Sequence, residues 1–127
     1  MATRANIILD SNHYNRIWLY HHWDGYPSGL GINLMEFLEK NGNVYNDWCR
    51  DSINLANLLI KDDKDDGYEL TNDQHGDIDY LYKIDTSDRT IRAYRITDNE
   101  GSAVFLKCAK YDDEKEVEEW KEWCKDY

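Results

Sequence analysis

Two triplets of the form H-x-D, His22-Trp23-Asp24 and His75-Gly76-Asp77, are the parts of this chain best suited to chemistry. Imidazole and carboxylate move protons near neutral pH and bind divalent cations. The first triplet runs into "DGYPSGLG" (24–31), which holds the single proline and three of the seven glycines. Gly25-Tyr26-Pro27 forces a sharp turn, since glycine tolerates positive φ and proline fixes φ. Ser28 is placed to cap a following helix. Gly29 and Gly31 then fall in its first turn, where they weaken the helix but bare its backbone N–H groups. Bare N–H groups at a helix start suit a phosphate or carboxylate. Trp23 and Tyr26 suit stacking on a flat ring. His21 or His22 could bond a phosphate or a ribose hydroxyl, and the spacing to Asp24 favours His22. The expected ligand-binding set is His22, Trp23, Asp24, Gly25, Tyr26, Ser28, Gly29 and Gly31, joined by His75 and Asp77. The plain alternative is a strand-to-helix turn with Trp23 as a buried plug, because glycine and proline often only punctuate.

The same histidines and aspartates, His22, Asp24, His75 and Asp77, could converge on a divalent metal. No spacing rule ties the two triplets together, and aspartate is abundant here. No metal, cofactor or catalytic residue is therefore assigned, and His75-Gly76-Asp77 reads equally as a turn feeding a strand at Ile78. No G-x-S-x-G elbow appears, and no cysteine stands beside a histidine. "KDDKDDG" (61–67) lacks the ligand spacing of a calcium-binding hand.

A chain of 127 residues with 41% hydrophobic content fits one domain, 1–127, with a packed core. No apolar run is long enough to span a bilayer, and the N-terminal stretch lacks the apolar region of a secretory signal. Three cysteines, Cys49, Cys108 and Cys124, form no C-x-x-C pair. They read as reduced thiols, which points to the cytosol. The formal net charge of −11 disfavours direct binding to nucleic acid or an anionic membrane. It suits a basic protein partner.

The elements that must position these residues are legible in outline. "ANIILD" (5–10) and "RIWLYHH" (16–22) read as an N-terminal hairpin. Segment 30–40 fits a helix with Leu30, Leu34, Phe37 and Leu38 on one face, and Asn41-Gly42 as its stop. Segment 47–60 fits a second, with Trp48, Ser52, Leu55, Ala56 and Leu59 in register. Segments 78–85, 90–97 and 103–111 read as a three-stranded antiparallel meander, with a short strand at 68–70 before it. Asp113 and Glu116 open a last helix, 113–124, striped by Val117, Trp120 and Cys124. The expected fold is α+β: an antiparallel sheet, N-terminal hairpin plus C-terminal meander, covered by two or three helices.

"TRANIIL", "IWLYHHWDGYPSGLGINLMEFL" and "HGDIDYLYKID…RTIRAY" together resemble a family of small phage and prophage proteins. Its members look like T-R-x-x-I-x-F, then Y-x-H-x-D-G-Y-P-x-G-x-G, then H-G-D-I-[DE]-Y. The likeness covers all but about the last thirty residues. It makes His22, Asp24, Gly25, Tyr26, Pro27, Gly29 and Gly31 one hallmark and His75, Gly76 and Asp77 the other. It names no activity, but it implies a phage context and the host cytosol. The first functional expectation is an inhibitor of host antiviral defence that sequesters a nucleotide-type immune signal without cleaving it. The second is an acidic, anti-CRISPR-type inhibitor that covers a basic nucleic-acid-binding surface. Its acids would be Asp62, Asp63, Asp65, Asp66, Glu114, Glu116, Glu118 and Glu119. The third is a metal-dependent phosphodiesterase or nucleotide hydrolase built on the two H-x-D triplets. The expected partners are a nucleotide-like small molecule or a basic host defence protein, with a second copy of the chain left open.

Overall fold

The computed structural model describes residues 3–11, 14–42, 51–62, 67–74, 76–98 and 101–127. Its strands are β1 (Ala5–Ser11), β2 (Tyr14–His21), β3 (Tyr68–Thr71), β4 (Tyr80–Asp85), β5 (Thr90–Ile96) and β6 (Ala103–Lys110). Its α-helices are α1 (Ile32–Asn41), α2 (Asp51–Asp62) and α3 (Glu114–Cys124), and a π-helical turn, Pro27–Gly31, leads into α1. The six strands form one sheet in the order β3-β2-β1-β4-β5-β6. The chain is an α+β protein with a mostly antiparallel sheet.

One pairing departs from the expected antiparallel pattern. β1 and β4 run parallel, with Ile7 opposite Tyr82 and Leu9 opposite Ile84. This pair joins the N-terminal hairpin to the C-terminal meander. All seven residues of β1 are buried. A central strand covered on both faces reads as a continuous apolar run, and Ile7-Ile8-Leu9 carries that signature.

The core lies on one face of the sheet. Ala5, Ile7, Leu9, Leu19, Tyr82, Ile84, Ile91 and Ala93 meet Leu34, Met35 and Leu38 of α1, Leu55, Ala56 and Leu59 of α2, and Val117, Trp120 and Cys124 of α3. The apolar stripes expected for the three helices are buried except that Phe37 is only partly so, and Leu30 lies in the π-helical turn before α1. Met35 joins Leu34 and Leu38, and Trp48 lies outside the described residues. Asp113 caps α3, accepting from the N–H groups of Lys115 and Glu116 at 3.0 and 3.3 Å. Glu116 does not reach back to close a capping box; its carboxylate accepts from the N–H of Lys110.

No described helix covers the opposite face, on which the side chains of Asn6, Ile8 and Asp10 project. Asn6 and Asp10 are nonetheless fully buried. Register sets long neighbours over them: Trp18 and Tyr20 on β2, Leu81 and Lys83 on β4. Asn6 donates to the Leu19 carbonyl at 2.9 Å, and Asp10 accepts from Arg16 at 2.9 Å, which offsets the cost of burying them.

Candidate functional site

The 22–31 loop divides into two halves with different surroundings. Gly25 to Gly31 is wedged between the sheet and α3. The Gly25 N–H donates to the Thr3 carbonyl at 2.9 Å, and the Tyr82 hydroxyl donates to the Gly25 carbonyl at 2.7 Å. A Cβ on Gly25 would stand 2.9 Å from Cβ of Ala5 and 3.0 Å from the Arg4 backbone, so the close approach requires glycine here. The Trp120 indole N–H donates to the Gly31 carbonyl at 3.0 Å, and the Gly31 α-carbon faces Sγ of Cys124. Burial pushes the Tyr82 phenol well above its ordinary range and the Cys124 thiol up to about 12. Both are neutral packing groups at physiological pH.

The helix start is not the bare N–H array read from the glycines. The Gly29 N–H is held by the Tyr26 carbonyl at 3.0 Å, and the Leu30 N–H by the Asp24 carbonyl at 2.9 Å. Asp24 sits at φ 52°, a left-handed conformation that aspartate accepts more readily than most residues. Its carboxylate accepts from the Tyr26 hydroxyl at 3.2 Å. Ser28 is not the N-cap; it lies inside the π-helical turn and donates to the main-chain oxygen of Tyr127.

His22, Trp23 and Asp24, at the other end of the loop, face outward. His21 is buried on the helix side, its ring 4.6 Å from that of Tyr68. His22 is on the helix-free side, its ring 4.6 Å from Tyr20. Strand alternation separates the two histidines and selects His22 as the accessible one. Nε2 of His22 lies 2.9 Å from Oε2 of Glu69 on β3. Trp23 is 38% exposed, so it is no buried plug.

Tyr20 links this corner to the second hallmark. Its hydroxyl donates to Oδ2 of Asp77 at 2.8 Å, and Nε of Arg4 lies 3.6 Å from the same oxygen. Burial first, then the bond to Asp77, raises the Tyr20 pKa to about 12. Tyr20 therefore stays a proton donor. Asp77 and His22 flank one tyrosine, and Arg4 and Glu69 complete the group at the end of β1, β2 and β3. Of the expected site residues, His22, Trp23 and Asp77 meet here, with Asp24 beside them in sequence. Gly25 and Gly31 lie behind them as framework. His75 is outside the described residues.

Arg4, Tyr20 and Glu69 were missed in reading the sequence. Tyr20 had a local signal, because it precedes His22 by two residues on the same strand face. Arg4 had only its place in the T-R pattern of the resemblance, and Glu69 had no signal, since the β2–β3 pairing alone brings it in.

This group can bind, with Arg4 and His22 as donors, Asp77 and Glu69 as acceptors and an exposed indole alongside. Glu69 is the hydrogen-bond partner of His22 among the described residues, and no serine or cysteine nucleophile is paired with it. Asp24 is bonded to Tyr26, and Asp77 to Tyr20 and Arg4. Among the described residues no three His, Cys, Asp or Glu side chains converge as a metal site would require. Compared with known proteins, the chain matches no family model, no curated protein and no solved structure.

Proposed function

We propose that the protein binds a nucleotide-type small molecule, without cleaving it, at the corner formed by Arg4, Tyr20, His22, Trp23 and Asp77. One observation carries the reading: Tyr20 ties the 22–24 stretch to Asp77, so Arg4, the Y-x-H stretch and Asp77 meet at one open corner. Side-chain exposures of 43% for Arg4, 39% for His22 and 52% for Asp77 leave the polar groups within reach of a ligand. Trp23 supplies a flat apolar surface for a ring. Asp77 and Glu69 suit ribose hydroxyls, and Arg4 suits an anionic group. In the phage setting that the motifs suggest, such binding would withdraw a nucleotide immune signal in the host cytosol. No described helix is long and apolar enough to cross a membrane, which agrees with that setting.

The test is to incubate the protein with lysate from defence-activated cells, repurify it, heat it and identify any released molecule by mass spectrometry. Wild type should release a ring-bearing anionic compound, and Tyr20→Phe combined with His22→Ala should release none. Equal release from both proteins, or none from wild type, would discard the reading.

One observation favours the acidic-inhibitor reading. Glu39, Asp112, Glu114 and Glu118 line a cavity of about 460 Å³ between α1 and α3, a surface that suits a basic protein segment. Asp63, Asp65 and Asp66, expected to contribute, lie outside the described residues. Reversing the charges of Glu114, Glu118 and Glu119 should abolish inhibition of a nuclease complex if that surface is the inhibitor.

A further inference from the structure

Strand register sorts the helix-free face of the sheet into rungs. One rung reads Trp18, Ile8, Lys83, Arg92 and Cys108 across β2, β1, β4, β5 and β6. The next reads Glu69, Tyr20, Asn6, Leu81, Tyr94 and Phe105. Lys83 and Arg92 are direct cross-strand partners. Side chains so placed are about 5 Å apart at Cβ, and like charges opposite one another destabilise a sheet. A chain with 26 acidic and 15 basic residues could easily have supplied a carboxylate here. Neither cation has a carboxylate partner among the described residues. Arg92 donates to the Thr90 hydroxyl at 3.1 Å. The nearest acids on the same face are engaged elsewhere: Asp85 with the N–H and hydroxyl of Ser87, and Asp10 with Arg16.

Beside this pair, Tyr94 and Phe105 form an edge-to-face pair with centroids 5.8 Å apart, and Phe105 is 54% exposed. An exposed phenylalanine on the edge strand, beside two cations with no ion pair among the described residues and on a face that no described helix covers, is costly for folding alone. We infer that Lys83 and Arg92 form a phosphate subsite, with Tyr94 and Phe105 as the platform for a ring of the same ligand. The occupant is a small phosphorylated nucleoside. A nucleic-acid strand is disfavoured by the net charge of −11, which repels a long polyanion. The subsite lies on the same face as Tyr20 and His22, two rungs along the strands and two to three strands across from His22, roughly 16–20 Å away at β-sheet spacings. The inference rests on the nucleotide-binding reading above and extends it: the sheet carries a second nucleotide subsite, separate from the Arg4–His22 corner.

The test uses ADP, pyrophosphate and adenosine as probes, with binding followed by calorimetry and by backbone-amide NMR shifts. Pyrophosphate should saturate with shifts centred on Lys83, Arg92 and Cys108, and ADP should add shifts at Tyr94 and Phe105. Lys83→Gln and Arg92→Gln should each weaken ADP and pyrophosphate about tenfold or more, as expected for loss of one charge-assisted contact. Lys115→Gln, on the far side of the molecule, should change neither. Phe105→Ala should remove the advantage of ADP over pyrophosphate. Both cation variants should also melt no lower than wild type, because each relieves a like-charge contact; this separates lost binding from lost folding. Unchanged ADP binding in the cation variants, with loss in Tyr20→Phe/His22→Ala, would overturn the subsite and leave the corner intact. Shifts spread evenly over all lysines and arginines, or no saturable binding of any probe, would overturn the subsite outright. Failure of the lysate experiment as well would remove the nucleotide reading with it.

Discussion

The two halves of the 22–31 loop carry the same kind of sequence and do opposite work. Gly25 to Gly31 has its glycines pressed against Ala5, Asp24 and Cys124, and its carbonyls bonded to Tyr82 and Trp120. His22 to Asp24 turns its side chains outward, toward Glu69, Tyr20 and solvent. Glycines that seem to clear space for a ligand clear it here for the protein's own backbone and side chains. The groups left for a ligand are the strand-end side chains just before them. The packed half sets the height and angle at which the open half leaves the sheet.

That contrast is open to attack at several points. Trp120→Ala should have the largest effect. It empties a fully buried site and removes the indole bond to the Gly31 carbonyl, at a cost of about 3–5 kcal/mol. Urea denaturation should show it; a loss under about 1 kcal/mol would mean that α3 does not clamp the loop. Gly29→Val comes next. A Cβ there would stand 2.7 Å from the Asp24 carbonyl oxygen and 3.1 Å from the Tyr26 ring. Such overpacking costs about 1–3 kcal/mol. The substitution should lower the melting temperature and disturb Asp24; a variant as stable as wild type would show the packed half to be pliable.

Tyr20→Phe probes the open half. It should cost about 1 kcal/mol for the bond to Asp77 while removing ligand retention. It also has a pH signature. Tyr20 holds its proton up to about 12 in the folded protein against 10 ordinarily, and Cys124 up to about 12 against 9. A raised pKa contributes stability that is complete below the ordinary value and is lost as pH climbs through the folded one. Wild type should therefore lose stability from about pH 9 to 12, and Tyr20→Phe should lose less of it above pH 10. Identical pH slopes would show that Tyr20 is not held in this way.

The smallest effect should come from Glu69→Gln. Its pair with His22 is mostly exposed, and such pairs contribute about 0–1 kcal/mol. Stability should hardly move, but the orientation of the imidazole should loosen, seen as altered His22 ring shifts in NMR. A large destabilisation would place Glu69 in the framework instead.

Local patterns in the chain were enough to identify most of its elements. Period-two alternation marked β2 and β4, and the stripes Leu34–Leu38, Leu55–Leu59 and Val117–Trp120–Cys124 marked three helix faces, because side-chain direction follows from backbone geometry alone. The same alternation separated the faces of His21 and His22 before it could say which face was open. The residues of the loop and the Asp77 turn were also legible as candidates, since their types are costly to place without a reason. Partners distant in sequence were not legible. Whether β1 would meet β4 in parallel, Arg4 reach Asp77, or Trp120 find the Gly31 carbonyl 89 residues away depended on which surfaces could be buried together. The same holds for Lys83 and Arg92. Their charges are plain in the sequence, but their adjacency exists only because the tertiary fold pairs β4 with β5, on a face that no described helix covers.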